Sequence, residues 1–444
     1  MVVNHNGADR KPNILFLMVD CMRADVLTDR ERFPQIPNFQ ELQARGTTFS
    51  QTISGATTTT PSVASMLTGV PSTAHGIRSL LGFKLRAEIP TLAELLKAQG
   101  YNTIGRVTGP LFRETGISRG FDQYERRERS YYMDTSWGEA VLRDLSGRKL
   151  PEPWFMFLHV WELHWPRRTK GRFNSGRYGE SLYQRSVAYT DYQIGRIMNA
   201  VDFDHTAIVV TGDHGEGIAG AIDDPRPWVQ SAISLGYRAT RNLPPQLKKK
   251  ILSVGKKVVL SEGERRELAG HANLCLYDYL IHVPLIVTLP GVVPAAATVS
   301  QQVRHIDIAP TLLDFAGATS LPVGFQQSLM PMMLGEDTAD RPAVSESLQT
   351  MLHDPVNRLL SLRTGQHKYI YAPENPEVEP ELYDLELDPG EVHNLTGSHP
   401  ELAFRLRSEL ERLSNENAPT GSERMSAEEE AVMRDRLEQL GYLE

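Results

Sequence analysis

The chain has 444 residues, 40% of them hydrophobic and 23% charged, with a formal net charge of -8. This composition excludes a disordered chain, and a mildly acidic balance argues against a nucleic-acid binder, which presents a basic domain or stripe. The length suits one large α/β domain, alone or with a smaller companion.

Residues 1–12 read as a polar tail without the apolar centre of a secretory signal. The best candidate for a membrane helix, Val283 to Val299, is broken by Pro284, Pro290, Gly291 and Pro294. Cys21 and Cys275 are the only cysteines, too few for a disulfide framework. A cytoplasmic location without membrane insertion is therefore expected.

In chain order, Asn13 to Val19 (NILFLMV) is a continuous apolar run that predicts a buried parallel strand ending at Asp20 and Cys21. Pro37 to Gly46 has helical spacing, with Phe39 and Leu42 apolar and Gly46 as a stop. Thr91 to Gly100 repeats that form. Further strands are predicted over Trp154 to Val160, Thr206 to Thr211 and Val283 to Leu289, with a helix over Ser181 to Val201 between the first two. Alternating strands and helices predict a large, mostly parallel sheet sandwiched by helices.

The segment 223–270, with Lys248, Lys249, Lys250, Lys256 and Lys257, breaks the rhythm and reads as a solvated insertion or a lid attracting anions. Beyond it, short strands over Leu360 to Arg363, Lys368 to Tyr371 and Glu381 to Leu385 predict a small antiparallel α+β unit. The expected organisation is 13–344 for the catalytic domain, 345–414 for the C-terminal subdomain and 415–444 for a linker and terminal helix. That helix opens with Ser426 and, three residues on, Glu429.

Asp20, Asp213 and His214 follow two predicted strands, where ligands collect in open α/β sheets. Carboxylate and imidazole there suit a divalent cation. In Gly212-Asp213-His214-Gly215, flanking glycines let a ligand approach. The run Thr57-Thr58-Thr59-Thr60-Pro61-Ser62 ends in a predicted helix start. A hydroxyl there is either an N-cap or a nucleophile held where backbone N–H groups favour an anion.

Taken together, these segments resemble the sulfatase family of the alkaline-phosphatase-like superfamily. NILFLMVDCMRADVL resembles its first metal strand, and IPNFQELQARGTTFSQTIS the helix that follows. TTTPSVASMLTGVPSTAHG resembles the family signature, HVWELHWP the segment ending His-x-Pro, and VVTGDHGE the second metal strand. GHANLCLYDYLIHVPLIV, HIDIAPTLLDFAGA and ELYDLELDPGEVHNL resemble later landmarks.

The resemblance implies one divalent metal (Ca, Mn, Zn or Mg) held by Asp20, Thr59, Asp213 and His214, with Cys21 where a second Asp is usual. Thr59 falls at the Cys or Ser that becomes formylglycine, and no formylglycine is expected from a secondary alcohol. Val63 replaces the signature Arg, and Thr108 falls near a usual Lys, leaving Arg23, Arg78 or Arg106 as substitutes. His164 and His271 fall at substrate-facing positions, whereas His75 and His305 fall at supporting ones. The implied activity is hydrolysis of a small anionic ester of the sulfuric type, with Thr59 attacking in line. Phosphate or phosphonate ester hydrolysis and phosphotransfer are the alternatives within the superfamily. A catalytically inactive binding protein is the alternative of another class.

Overall fold

The computed structural model describes residues 10–127, 132–146, 150–164, 167, 169–217, 275–318, 326–348, 358–415 and 423–439. The expected insertion, its lysines and His271 lie outside these residues. An eight-stranded sheet has the order β4-β3-β5-β1-β6-β7-β2-β8. Its centre is β5 (Trp154–Val160), β1 (Asn13–Val19) and β6 (Thr206–Gly212), every residue of which is buried. Burial on both faces accounts for the unbroken apolar runs of these strands. β1 is parallel to both neighbours, with Met18 paired to His159 and to Thr211.

Alternate side chains serve two cores. Ile14, Phe16 and Met18 pack with Val63, Leu67, Leu92, Leu96 and Leu312 on one face. Leu15, Leu17 and Val19 pack with Phe39, Leu42, Val187 and Ile194 on the other. Each such side chain stabilises the fold by about 1.5–3 kcal/mol when fully buried. The flanking helices start where the sequence directs them. Thr91 and Glu94 form a capping box ahead of Leu92–Ala98, and Ser181 with Gln184 forms another ahead of Leu182–Met198.

Thr47–Ile53, grouped by resemblance with the preceding helix, is instead strand β2. The Pro37–Arg45 helix stops at Gly46, where a Cβ would lie 2.2 Å from the Val287 carbonyl oxygen. The chain thus turns directly against β7 (His282–Thr288), which runs antiparallel to β6 and β2 and makes the sheet mixed. The edge strands β4 (Gln123–Arg126) and β8 (Ala297–Arg304), and β3 (Asn102–Val107) beside β4, carry too few consecutive apolar residues to stand out in sequence.

A second sheet, β12-β11-β10-β9, is antiparallel. It begins with β9 at Ala343–Ser347, so the expected boundary at 344 falls inside a strand. β10 (Leu359–Arg363), β11 (His367–Tyr371) and β12 (Glu381–Asp384) follow, and Leu406 and Leu410 of the Pro400–Asn415 helix cover the sheet. Lys368 of β11, fully buried, ties this sheet to the short helix Asp278–Ile281 that leads into β7. Its Nζ lies 2.7 Å from Glu391 Oε1 and also contacts Asp278. The terminal helix Ala427–Gln439 lays Met433 and Leu437 on Leu80, Leu81 and Phe112. Among the described residues no helix is long and apolar enough to cross a membrane.

Candidate active site

The carboxyl ends of β1 and β6 bring Asp20, Cys21, Asp213 and His214 together. Donor atoms of Asp20, Cys21 and His214 lie within 4.8 Å of one another, and all three residues are buried. Cys21 adopts φ 59°, a left-handed turn that folds its thiol back to 3.0 Å from Asp20 Oδ1. The turn also aims the Cys21 N–H at Asp213 Oδ1, 3.1 Å away, and Asp213 Oδ1 receives the His214 N–H at 2.8 Å. Asp213 Oδ2 lies 3.5 Å from His214 Nε2 and, although buried, accepts no hydrogen bond. Tyr183 fastens the turn from below, its hydroxyl donating to the Cys21 carbonyl at 2.8 Å.

Burial and mutual charge shift the titratable groups of Asp20, Cys21, Asp213 and His214. Burial and the neighbouring Asp20 charge raise the Asp213 carboxyl above its ordinary range. Burial, then the charges of Asp20, Glu216 and Asp213, pushes the Cys21 thiol well up. Burial also disfavours the Asp20 carboxylate, but His164, His159 and His214 more than offset it and hold the group low. Burial lowers His214, and the carboxylates of Asp213 and Asp20 outweigh it to leave a raised pKa. Crowded anionic donors, one with an orphaned buried oxygen, fit a divalent cation, which satisfies several oxygens at once.

Thr59 opens the helix Thr59–Thr68, with Thr58 in extended geometry as its N-cap. The Thr58 side chain makes no capping bond, so the start of this ten-residue helix leaves backbone donors open towards an anion. The helix is fastened by its next turn. Ser62 Oγ donates to the Asp213 carbonyl at 2.6 Å and lies 3.2 Å from His305 Nδ1. Thr60 Oγ1 bonds the Pro110 carbonyl, and Thr57 Oγ1 bonds Ser347 Oγ in β9.

His164 is buried and stacks on Trp161, ring centroids 3.9 Å apart. Its charge is the foremost influence lowering Asp20, so it faces the same cluster. His75 is a support: Nε2 meets Ser65 Oγ at 3.0 Å, and Nδ1 accepts the Ile77 N–H at 3.1 Å. Val63 is core, packed among the first cluster's residues. Thr108 Oγ1 donates to the Arg127 carbonyl.

The arginines expected as substitutes are engaged with acids. Arg78 forks onto Glu346, and Arg106 reaches Asp144 and Glu125 away from the cluster. Arg23 pairs with Asp25 and donates to the carbonyl of Glu216, two residues beyond His214. The residue of this cluster to which the sequence assigned no role is His159, the first residue of HVWELHWP, whose Nε2 lies 3.0 Å from Asp20 Oδ2. It is the one strongly polar side chain in the buried run WFMFLHV, which is the signal that marks it.

A mixed sheet covered by helices, with acids, thiol and imidazole gathered at its strand ends, gives the chain an alkaline-phosphatase-like architecture with a group of side chains that could hold a cation. The family model described as Sulfatase matches residues 12–318, and that described as N-sulphoglucosamine sulphohydrolase, C-terminal, matches residues 271–416. The chain belongs to the sulfatase family and is a sulfatase-type ester hydrolase. It is 26% identical over 425 residues to Arylsulfatase K of Rattus norvegicus, covering 86% of this chain and 74% of that protein. It is also 26% identical over 281 residues to an N-acetylgalactosamine-6-O-sulfatase of Bacteroides thetaiotaomicron, covering 59% and 47%. Among solved structures, a phosphonate monoester hydrolase of Agrobacterium radiobacter has a TM-score of 0.68 at 17% identity, covering 92% of this chain and 96% of that one. A 2-O GAG sulfatase has a TM-score of 0.67 at 19% identity, covering 92% and 93%.

Proposed function

We propose that the chain hydrolyses small sulfuric esters with Thr59 as nucleophile beside a cation held by Asp20, Asp213 and His214, Cys21 being a further donor. The observation that carries this reading is the orphaned Oδ2 of buried Asp213 within the acid-imidazole cluster to which Ser62 ties the Thr59 helix. A divalent cation there supplies Lewis acidity towards an ester oxygen and towards a hydroxyl. Thiol and imidazole among the donors favour Mn²⁺ or Zn²⁺ over Ca²⁺ or Mg²⁺.

Thr59 Oγ1 forms its bond to sulfur as the bond to the alcohol oxygen breaks, and the Thr59 hydroxyl proton passes to solvent. His164, braced on Trp161, gives its proton to the departing oxygen. His271, outside the described residues, is a second candidate for that role. The Thr59 ester has no second hydroxyl from which to eliminate. Water must therefore displace Thr59 at the central atom, which restores the hydroxyl. This second displacement also suits phosphorus, so a phosphate or phosphonate ester is the second reading. Cys21 and Cys275, both free, suit a reducing, cytoplasmic setting.

The test is an assay of purified protein on aryl sulfate, aryl phosphate, aryl phosphonate and a phosphodiester with each of Mn²⁺, Zn²⁺, Ca²⁺ and Mg²⁺, beside Thr59→Ala. Turnover of one substrate, abolished in Thr59→Ala, places the nucleophile and decides the ester class. Equal activity in Thr59→Ala overturns the mechanism.

A further inference from the structure

Asp20 is held from two sides, and only one of them belongs to the ligand cluster. Oδ1 faces the Cys21 thiol at 3.0 Å, whereas Oδ2 faces His159 Nε2 at 3.0 Å. His159 is fully buried and immobilised in its own right. It sits on β5 opposite Met18, on the same face as Phe155 and Phe157. Its Nδ1 meets the Thr108 carbonyl at 3.3 Å, and its ring stands edge-on to Trp161, centroids 5.8 Å apart. Trp161 is wedged against Gly109, where an added Cβ would lie 2.0 Å from the indole.

From this arrangement we infer that His159 is a positioning residue. It fixes the carboxylate plane of Asp20 so that Oδ1 is presented to the cation, and it thereby sets the affinity of the site. The inference rests on the reading of Asp20 as a cation ligand. The physical reason is that the terminal torsion of an aspartate is broad and soft, so a buried carboxylate is oriented by what bonds its second oxygen. Removing such a partner weakens a metal site without touching a ligand. Trp161, edge-on to His159 and stacked on His164, also gives the cation site and the leaving-group histidine a common brace.

The experiment measures Mn²⁺ and Zn²⁺ binding to the apoprotein by competition with a chromophoric chelator. It compares wild type with His159→Leu, His159→Asn and His159→Gln, and records the melting temperature of each cation-free form. Loss of the contact to Oδ2 in His159→Leu and His159→Asn is expected to weaken binding about 10- to 100-fold. His159→Gln, long enough to donate to Oδ2, is expected to recover part of that loss at a similar cation-free melting temperature. If His159→Leu fails to fold, the ratio between His159→Gln and His159→Asn carries the test. Wild-type affinity in both His159→Asn and His159→Leu overturns the inference alone. A wild-type chain that binds neither cation overturns the site assignment as well.

Discussion

Ser62 Oγ and the carbonyl oxygen of Asp213 stand 2.6 Å apart, which ties the Thr59 helix to the end of β6. Ser54 Oγ shares that carbonyl, also at 2.6 Å, so the Asp213 backbone stays satisfied if Ser62 is lost. Ser62→Ala is therefore expected to destabilise the protein by only about 1 kcal/mol, the net worth of one hydrogen bond. Turnover is expected to fall more than stability, by roughly tenfold or more in kcat, since misplacement of a nucleophile is costly. Urea unfolding and steady-state kinetics on the same variant check both halves.

Removing the cation is expected to lower the melting temperature, and restoring it at about 100 times Kd is expected to return about 2.7 kcal/mol. If Asp213 is a ligand as proposed, Asp213→Asn takes away a charge that the cation would neutralise, so its melting temperature should respond far less to added Mn²⁺ or Zn²⁺. Thermal scans with and without chelator distinguish the two chains, and an equal response in Asp213→Asn would remove that residue from the ligand set.

His75 makes folding stability depend on pH. Burial first, with the charges of Arg78 and Arg86, pushes its pKa down to about 3 from the ordinary 6.5, against the raising influence of Glu346. The folded state holds the ring neutral, and protonation would take Nδ1 from the Ile77 N–H. Between pH 6.5 and 3 the unfolded chain binds the extra proton, so stability is full above pH 6.5 and falls as pH drops towards 3. The slope is up to about 1.4 kcal/mol per pH unit for such a group. His305, also pushed down to about 3 by burial, acts in the same direction. His75→Gln should show a shallower acid loss in urea midpoints measured between about pH 7 and pH 5.

Lys368→Met leaves half-buried Asp278 and buried Glu391 without their shared ammonium. Arg363 still pairs with Asp278 at 2.8 Å, so the penalty falls chiefly on Glu391. A loss of about 3 kcal/mol is expected, the scale for breaking a buried ion pair from one side. Denaturant unfolding measures it, and a value below about 1 kcal/mol would show that the joint between β11 and the Asp278–Ile281 helix does not depend on this cation.

The central strands and their chemistry were legible because both faces of β1, β5 and β6 are buried. A strand covered on both faces must be apolar at nearly every position, and a polar residue at its end is then functional or paired. Asp20, Asp213 and His214 were placed at strand ends this way, whereas Thr59 was singled out by the family resemblance, since a run of threonines ahead of a helix reads equally as an N-cap. Strands β2 and β8 were not legible, because TTFSQTI and ATVSQQVR are mostly polar and owe their place to pairing with each other and, for β2, with β7. The arginines were misjudged for a related reason. A cation's partner is chosen by whichever acid the fold brings within reach, and for Arg78 that acid is Glu346, 268 residues away in the chain.

By itself, then, the sequence determined the fold class and the strand ends at which Asp20, Asp213 and His214 lie, because local periodicity and burial control these. Only the tertiary structure decided that His159 faces Asp20, that Ser62 ties the Thr59 helix to Asp213, and that Lys368 pairs with Asp278. Those pairs are separated by 139, 151 and, for Lys368 and Asp278, 90 residues, and such contacts are set by strand order and register, which no local pattern encodes.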